Sequence, residues 1–264
     1  MKYLLIFLGL CLFSCNNQTT SNIQPEIKIE NGSLTKGEQD SLIMVLSPYL
    51  EIDSIVMQNA NQTLQMVSEA LGDTNGEDDY YRNVLHVDSI IKQCITYAQE
   101  NEPKQLLDLF DKEKVNIYAH PSNTIEHEKG LHYMILSLYE KYYRPVSERL
   151  YAEKMIELYE LTLAHIIGLE TFGGYHHPDY ILLAKVLMNC YADGLNNYDK
   201  AIELQKKVCE RIEQEEPEGK ASELYGYELM ELANLYLTNA DTLRTDSCLQ
   251  ELRKNPYMEK LLEE

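Results

Sequence analysis

Apolar residues recur every three or four positions over most of this 264-residue chain, which is the spacing of one face of an α-helix. Short polar segments join the apolar runs in pairs, so the pattern predicts helical hairpins that bury their apolar faces by stacking on one another. We therefore predict an all-α chain built as a solenoid of helical hairpins. The predicted helices are 124–143, 146–168, 178–192, 198–214, 221–238 and 242–253.

The N-terminal helical region, residues 35–115, shows the same spacing less regularly. A polar segment at 72–79 separates two of its helices, and a short helix is predicted around 103–110. The next break falls near 118–121. This region is either a set of diverged hairpins or a helical cap, and the pattern alone leaves both interpretations open.

Residues 1–14 have a different pattern, in which the single cation Lys2 precedes an apolar run from Tyr3 to Phe13. That run is too short to span a bilayer core of ~30 Å and is typical of a signal peptide. It ends in Leu12-Phe13-Ser14-Cys15, which resembles the bacterial lipobox. The resemblance implies cleavage before Cys15, a diacylglycerol on its sulfur and, usually, an acylated N-terminus. An ordinary signal peptide with an incidental cysteine is the alternative.

Residues 15–34 are rich in Asn, Gln, Thr and Ser and lack helical periodicity, so we predict a flexible tether with a reach of ~25 Å. Asn16, not aspartate, follows Cys15. Aspartate at this position is an inner-membrane retention signal in some Gram-negative bacteria. Its absence favours a lipid-anchored protein of the cell envelope, at the outer membrane and facing the periplasm.

Acidic residues outnumber basic ones by 43 to 23, which gives a net charge of −20. Removal of residues 1–14 takes away Lys2 alone among the charged residues, so the mature chain stands at −21. Such a chain repels phosphate backbones and anionic lipid, which excludes nucleic acid as an expected partner. Contact with the membrane is therefore expected only through the lipid on Cys15.

The stretch 177–204 carries a recognisable repeat. Gly194 falls at the turn between its two helices, where we expect a positive φ that glycine adopts without steric cost. Ala201 is the small residue that lets the second helix approach closely. The packing positions of the first helix, spaced 0, 3, 4 and 7, are Ala184, Leu187, Met188 and Tyr191. The stretch resembles a tetratricopeptide repeat of the kinesin light chain type, with one extra residue in the turn.

The same signature recurs 45 residues later, although its second half is degenerate. Thr245 stands where the close-packing alanine is expected. The recurring positions are Leu229, Leu232, Ala233 and Tyr236. We therefore assign residues 120–264 to a tetratricopeptide-like region. The resemblance implies a solenoid in which the first helix of each repeat lines a concave surface that holds a peptide or a partner helix.

Four residues are candidates for this partner-binding groove. Lys185 and Asn189 lie away from the packing face of the first helix, one turn apart, and Asn234 occupies the equivalent position of the next unit beside Tyr227. Amide side chains there can bond the backbone of a ligand, and Lys185 can meet a carboxylate. The alternative is a plain solvated face.

The sequence offers no catalytic, cofactor-binding or metal-binding motif. His176 and His177 are adjacent, so they point to different sides of the chain, and a helix start explains them better than a metal site does. The predicted mature chain, without residues 1–14, has four cysteines besides Cys15. They show no CxxC spacing and either bury as thiols or form disulfides. They are Cys94, Cys190, Cys209 and Cys248.

These features predict a non-enzymatic, membrane-anchored scaffold that binds a protein or peptide partner. One alternative is an assembly factor that resembles the tetratricopeptide lipoprotein of the outer-membrane insertion machinery. A less favoured one is an envelope hydrolase, which would need a closed pocket with two buried carboxylates.

Overall fold

A computed structural model describes residues 33–44, 86, 89–119, 125–174 and 176–263. Within these ranges the regular structure is helical and no strand occurs, so the predicted all-α class is confirmed. Residues 1–14, Cys15, most of the predicted tether and the polar segment 72–79 lie outside the described residues. The helices are α1 (36–44), α2 (89–99), α3 (Pro103–Ala119), α4 (Ile125–Tyr142), α5 (Glu148–Gly173), α6 (Tyr180–Asn189), α7 (Tyr198–Glu215), α8 (Glu223–Thr238), α9 (Thr242–Leu252) and α10 (Pro256–Glu263).

Short polar side chains fix where four of these helices begin. Ser147, Asn197, Ser222 and Asp241 each precede a helix and accept a hydrogen bond from a backbone N–H three residues on, at 3.1–3.3 Å. Such caps satisfy a donor that has no partner inside the helix and stabilise it by about 1 kcal/mol. The turns before α5, α7, α8 and α9 are therefore encoded locally.

From α3 to α9 each helix packs against the next one in the chain. Two further contacts join alternate helices, α3 with α5 and α8 with α10. The residues predicted to pack inside the two repeat signatures are all buried: Ala184, Leu187, Met188, Tyr191, Leu229, Leu232, Ala233 and Tyr236. Ala201, the predicted close-approach residue, has no exposed surface.

The turn after α6 departs from the prediction. Residues Cys190–Gly194 form a π-helical turn, which is wider than an α-helical turn by one residue. The predicted positive φ at Gly194 is wrong, because the left-handed residue is Asn196, with φ 53°. Gly194 is needed for a different reason, since a Cβ there would collide with the Cβ of Ala152 on α5.

Two helices run further than the sequence pattern indicates. The short helix predicted around 103–110 continues as α3 to Ala119, because Ile117 and Tyr118 extend its buried face. Helix α5 passes the predicted end at 168 and stops at Gly173. Gly174 then takes φ 66° and donates its N–H to the Glu170 carbonyl at 2.8 Å, which closes the helix.

The first described residues are tied to the helical body by side chains. Asn101 accepts the Leu34 N–H at 2.6 Å and donates to the Leu34 carbonyl at 3.2 Å. Gln39 of α1 donates to the Ala98 carbonyl at 2.9 Å, and Lys141 of α4 donates to Glu38 at 2.5 Å. Leu34 is buried, so the folded part of the described chain starts at this residue.

Candidate functional site

The predicted groove residues lie on α6 and α8. Asn189 and Asn234 are exposed, and Tyr227 is 42% exposed. Met230, which the helical wheel places at the position equivalent to Lys185, is 44% exposed, and Leu182, which the helical wheel does not single out, is 40% exposed. We call these five residues the α6–α8 face. Large apolar side chains next to free amides make a surface that can bury part of another protein.

Lys185 joins the two helices of this face. Its ammonium contacts a Glu228 carboxylate oxygen at 2.5 Å, and Glu228 is only 4% exposed. The fully buried Gln205 of α7 donates to the other Glu228 oxygen and to the Glu228 carbonyl, each at 2.8 Å. The predicted role of Lys185 was to meet a carboxylate of a ligand, but its ammonium is paired with Glu228 of the same chain.

Glu228 was missed because nothing local marks it. It sits in an acidic helix among other glutamates, and its partners are 43 and 23 residues away in sequence. Burial of a glutamate costs free energy unless its carboxylate is paired and hydrogen-bonded. A glutamate on the apolar, buried side of α8 was therefore the available indication that it has such partners. The pair fixes α6 against α8 and thereby sets the spacing of the α6–α8 face.

Two exposed carboxylates lie on the α8 side of the α6–α8 face. Glu223 and Glu231 are exposed on α8, which carries no basic residue. Neither forms an ion pair within the part of the chain that the structure describes. Lys185, the one cation of α6, is committed to Glu228. The surface therefore presents apolar groups flanked by unneutralised carboxylates.

A buried histidine lies in the core between α3, α4 and α5. His132 is within 3.3 Å of the Tyr118 hydroxyl and 3.4 Å of the Thr162 hydroxyl, and its ring meets Tyr159 edge-on. Burial lowers the pKa of His132 to about 4, since the imidazolium would lose its hydration there. His165 bonds the Tyr118 carbonyl at 2.8 Å, and burial lowers its pKa also. Both rings are buried in the core.

The adjacent histidines at the start of α6 also have structural partners. His177 donates its N–H to Glu170 at 2.6 Å and accepts the Asp179 N–H on Nδ1 at 3.1 Å. His176 lies 3.4 Å from Glu215. Arg211 pairs with Glu170 and stacks on a tyrosine of α6. Among the described residues no group of histidine, cysteine and acidic side chains is arranged to hold a metal ion.

The hydrolase alternative requires two carboxylates in one closed pocket. The buried glutamates of the described chain are Glu113 on α3 and Glu228 on α8. Asn116, Lys112 and His86 bond Glu113, which lowers the pKa of its carboxyl to about 2. Glu228 has the separate partners described above. The two carboxylates therefore belong to different hydrogen-bond groups.

The four cysteines among the described residues are free thiols. Cys94, Cys209 and Cys248 are buried, and Cys190 is half-buried. Burial raises the pKa of Cys94 and of Cys209 to about 12, which disfavours the reactive thiolate. Of the two readings left open by the sequence, the buried thiol is the one present in the structure.

No helix among the described residues is both long enough and apolar enough to cross a membrane. Comparisons with models of protein families, with curated proteins and with solved structures yield no match for this chain. Its function must therefore be argued from its own residues.

Proposed function

We propose that this chain is a lipid-anchored scaffold protein of the bacterial cell envelope that binds a protein partner through its α6–α8 face. The single observation that carries the proposed partner binding is the exposure of Tyr227 and Met230 on α8, by 42% and 44%, beside the exposed amide of Asn234. Aromatic and methionine side chains in partly sheltered positions are the usual anchors of protein interfaces.

The arrangement of the helices supports a tetratricopeptide-like solenoid as the frame of this surface. Each of α6 and α8 opens a hairpin whose second helix, α7 or α9, packs on it. The Lys185–Glu228 pair then bridges the two first helices at 2.5 Å. In such a solenoid the first helices line one continuous surface, which is where the candidate residues lie.

The proposed lipid anchor rests on the lipobox-like Leu12-Phe13-Ser14-Cys15 and on the acidic composition, which leaves lipid attachment as the route to the membrane. We place the protein at the outer membrane, facing the periplasm, and assign it no cofactor and no catalytic role. Metabolic labelling with a clickable fatty acid tests the anchor. Cys15→Ala should lose the label and leave the membrane fraction, and retention of both would refute lipidation at this residue.

A pull-down from solubilised envelopes tests the proposed partner binding. Asn189→Ala with Asn234→Ala should lose the main partner, because both amides lie on the α6–α8 face. Gln214→Ala with Gln250→Ala is the matched control, since these amides are exposed on α7 and α9 instead. Equal recovery with both double variants would remove the α6–α8 face as the binding surface.

A further inference from the structure

We infer that the partner of the α6–α8 face is an amphipathic helix whose apolar stripe is flanked by lysine or arginine. This inference rests on the proposed function and names the chemical class of the partner. Leu224, Tyr227 and Met230 follow one another on α8 at a spacing of three residues and are all exposed by 40–44%. Residues at this spacing form an oblique ridge, which packs into the groove between two rows of side chains on another helix.

Leu237 continues the exposed apolar surface to the end of α8, where it is 58% exposed. From Leu224 to Leu237 the helix rises about 20 Å at ~1.5 Å per residue. An occupant of three to four helical turns matches that length. Asn234 lies between the two apolar ends and can bond a polar side chain of the occupant.

The unneutralised side chains beside the ridge, Glu223 and Glu231, are both acidic, and α8 has no cation to offset them. A second copy of this chain would bring the same carboxylates together, and an anionic lipid surface would repel them. A helix with basic flanks gains two charge pairs at the rim of the contact while its stripe covers the ridge.

A set of three fluorescent 18-residue peptides tests this inference on the mature chain from residue 15 with Cys15→Ser, which contains every described residue. The first peptide places leucine on one helical face and lysine elsewhere. The second replaces each lysine by glutamate, and the third scrambles the leucine and lysine positions. Fluorescence anisotropy at low and high salt measures binding. The basic amphipathic peptide should bind at least tenfold more tightly than the other two, and more weakly in high salt.

Variants locate the binding. Tyr227→Ala with Met230→Ala should weaken the basic peptide at least tenfold, and Glu223→Gln with Glu231→Gln about three- to tenfold. Leu243→Ala with Leu249→Ala and Glu210→Gln with Asp246→Asn are the matched controls, because these residues are exposed elsewhere, on α9 and α7. The controls should change affinity less than about twofold.

The outcomes separate the two proposals. If the acidic peptide binds as tightly and the Tyr227/Met230 variant abolishes its binding, the α6–α8 face stands as a binding surface and the basic class of partner is refuted. If the scrambled peptide binds equally, or the controls lose as much affinity as the face variants, the attraction is only the general negative charge of the protein and the inference falls. Absence of binding by all three peptides also refutes the inference, whereas the pull-down decides the proposed function.

Discussion

Gly194→Ala is the substitution for which the structure makes the most specific prediction. The residue closes the π-helical turn Cys190–Gly194, and a Cβ there would overlap the Cβ of Ala152 on α5. Its φ is not positive, so alanine meets no backbone penalty and gains up to ~1 kcal/mol of helical propensity. Overpacking costs about 1–3 kcal/mol, so we expect a net destabilisation of about 1–2 kcal/mol.

The contact partner supplies the decisive test. Ala152→Gly costs about 1 kcal/mol by itself because it lies inside a helix, but it removes the atom that the new Cβ would meet. In that background Gly194→Ala should be neutral or stabilising by up to ~1 kcal/mol. The sign of the effect therefore reverses, and the coupling between the two sites should be about 1–3 kcal/mol.

Urea denaturation followed by circular dichroism gives the four free energies of unfolding in this cycle. Gly168→Ala is the matched control, because no atom lies within 4 Å of a Cβ built at this exposed helical position. It should stabilise the protein by about 0.5–1 kcal/mol. An equal cost of Gly194→Ala with and without the Ala152 methyl would show that close approach to α5 is not the reason for the glycine.

Three further predictions concern buried groups. The pKa of His132 is about 4 in the folded chain and near 6.5 in the unfolded chain, so the unfolded chain binds more protons between these pH values. The free energy of unfolding should therefore fall by about 3 kcal/mol as the pH drops from 6.5 to 4. Chemical denaturation across this window should show a shallower dependence of that free energy on pH for His132→Gln, and an unchanged dependence would contradict the prediction. Cys94 and Cys209 should resist iodoacetamide at pH 8 until urea unfolds the protein, as intact mass will show, and rapid labelling of the native protein would refute their burial as inert thiols. Glu228→Gln should lower the free energy of unfolding, measured by chemical denaturation, by about 1–2 kcal/mol because it leaves the charge of Lys185 without its partner. Adding Lys185→Met should recover part of this loss, and additive effects of the two substitutions would show that the pair is not coupled.

The helices were predictable because their signals are local. The apolar spacing around Ala184 and Leu229 names the buried faces, and the caps at Asn197 and Ser222 sit within three residues of the N–H groups that they satisfy. The positions at which helices end were harder to predict from the sequence. Gly174 ends α5 in the left-handed conformation, but glycine is equally common in turns and does not by itself mark the end.

The turn after α6 shows why a correct residue can be assigned the wrong role. The sequence singles out Gly194, yet the constraint on it comes from Ala152, which is distant in sequence and contacts it only in the folded chain. Asn196 takes the left-handed conformation instead, which asparagine tolerates better than most residues. The direction of a turn depends on tertiary packing as well as on local preference.

The candidate site was predictable as a set of exposed positions and not as a set of interactions. Helical geometry placed Asn189 and Asn234 outward, and both are exposed. The commitment of Lys185 to Glu228 depends on how two hairpins stack, which one sequence does not specify. The exposure of Leu182 was equally hidden, because apolar residues on a helix are more often buried.

The attachment of Leu34 has a mechanical consequence. Tension on the proposed anchor reaches the folded helices at this residue, where Asn101 holds the N–H and the carbonyl together. Both bonds then share the load, and the Glu38–Lys141 pair passes part of it to α4. The helices that carry the α6–α8 face come later in the chain. A pull from the membrane side therefore strains the first helices, and the binding surface can keep its geometry while the anchor moves.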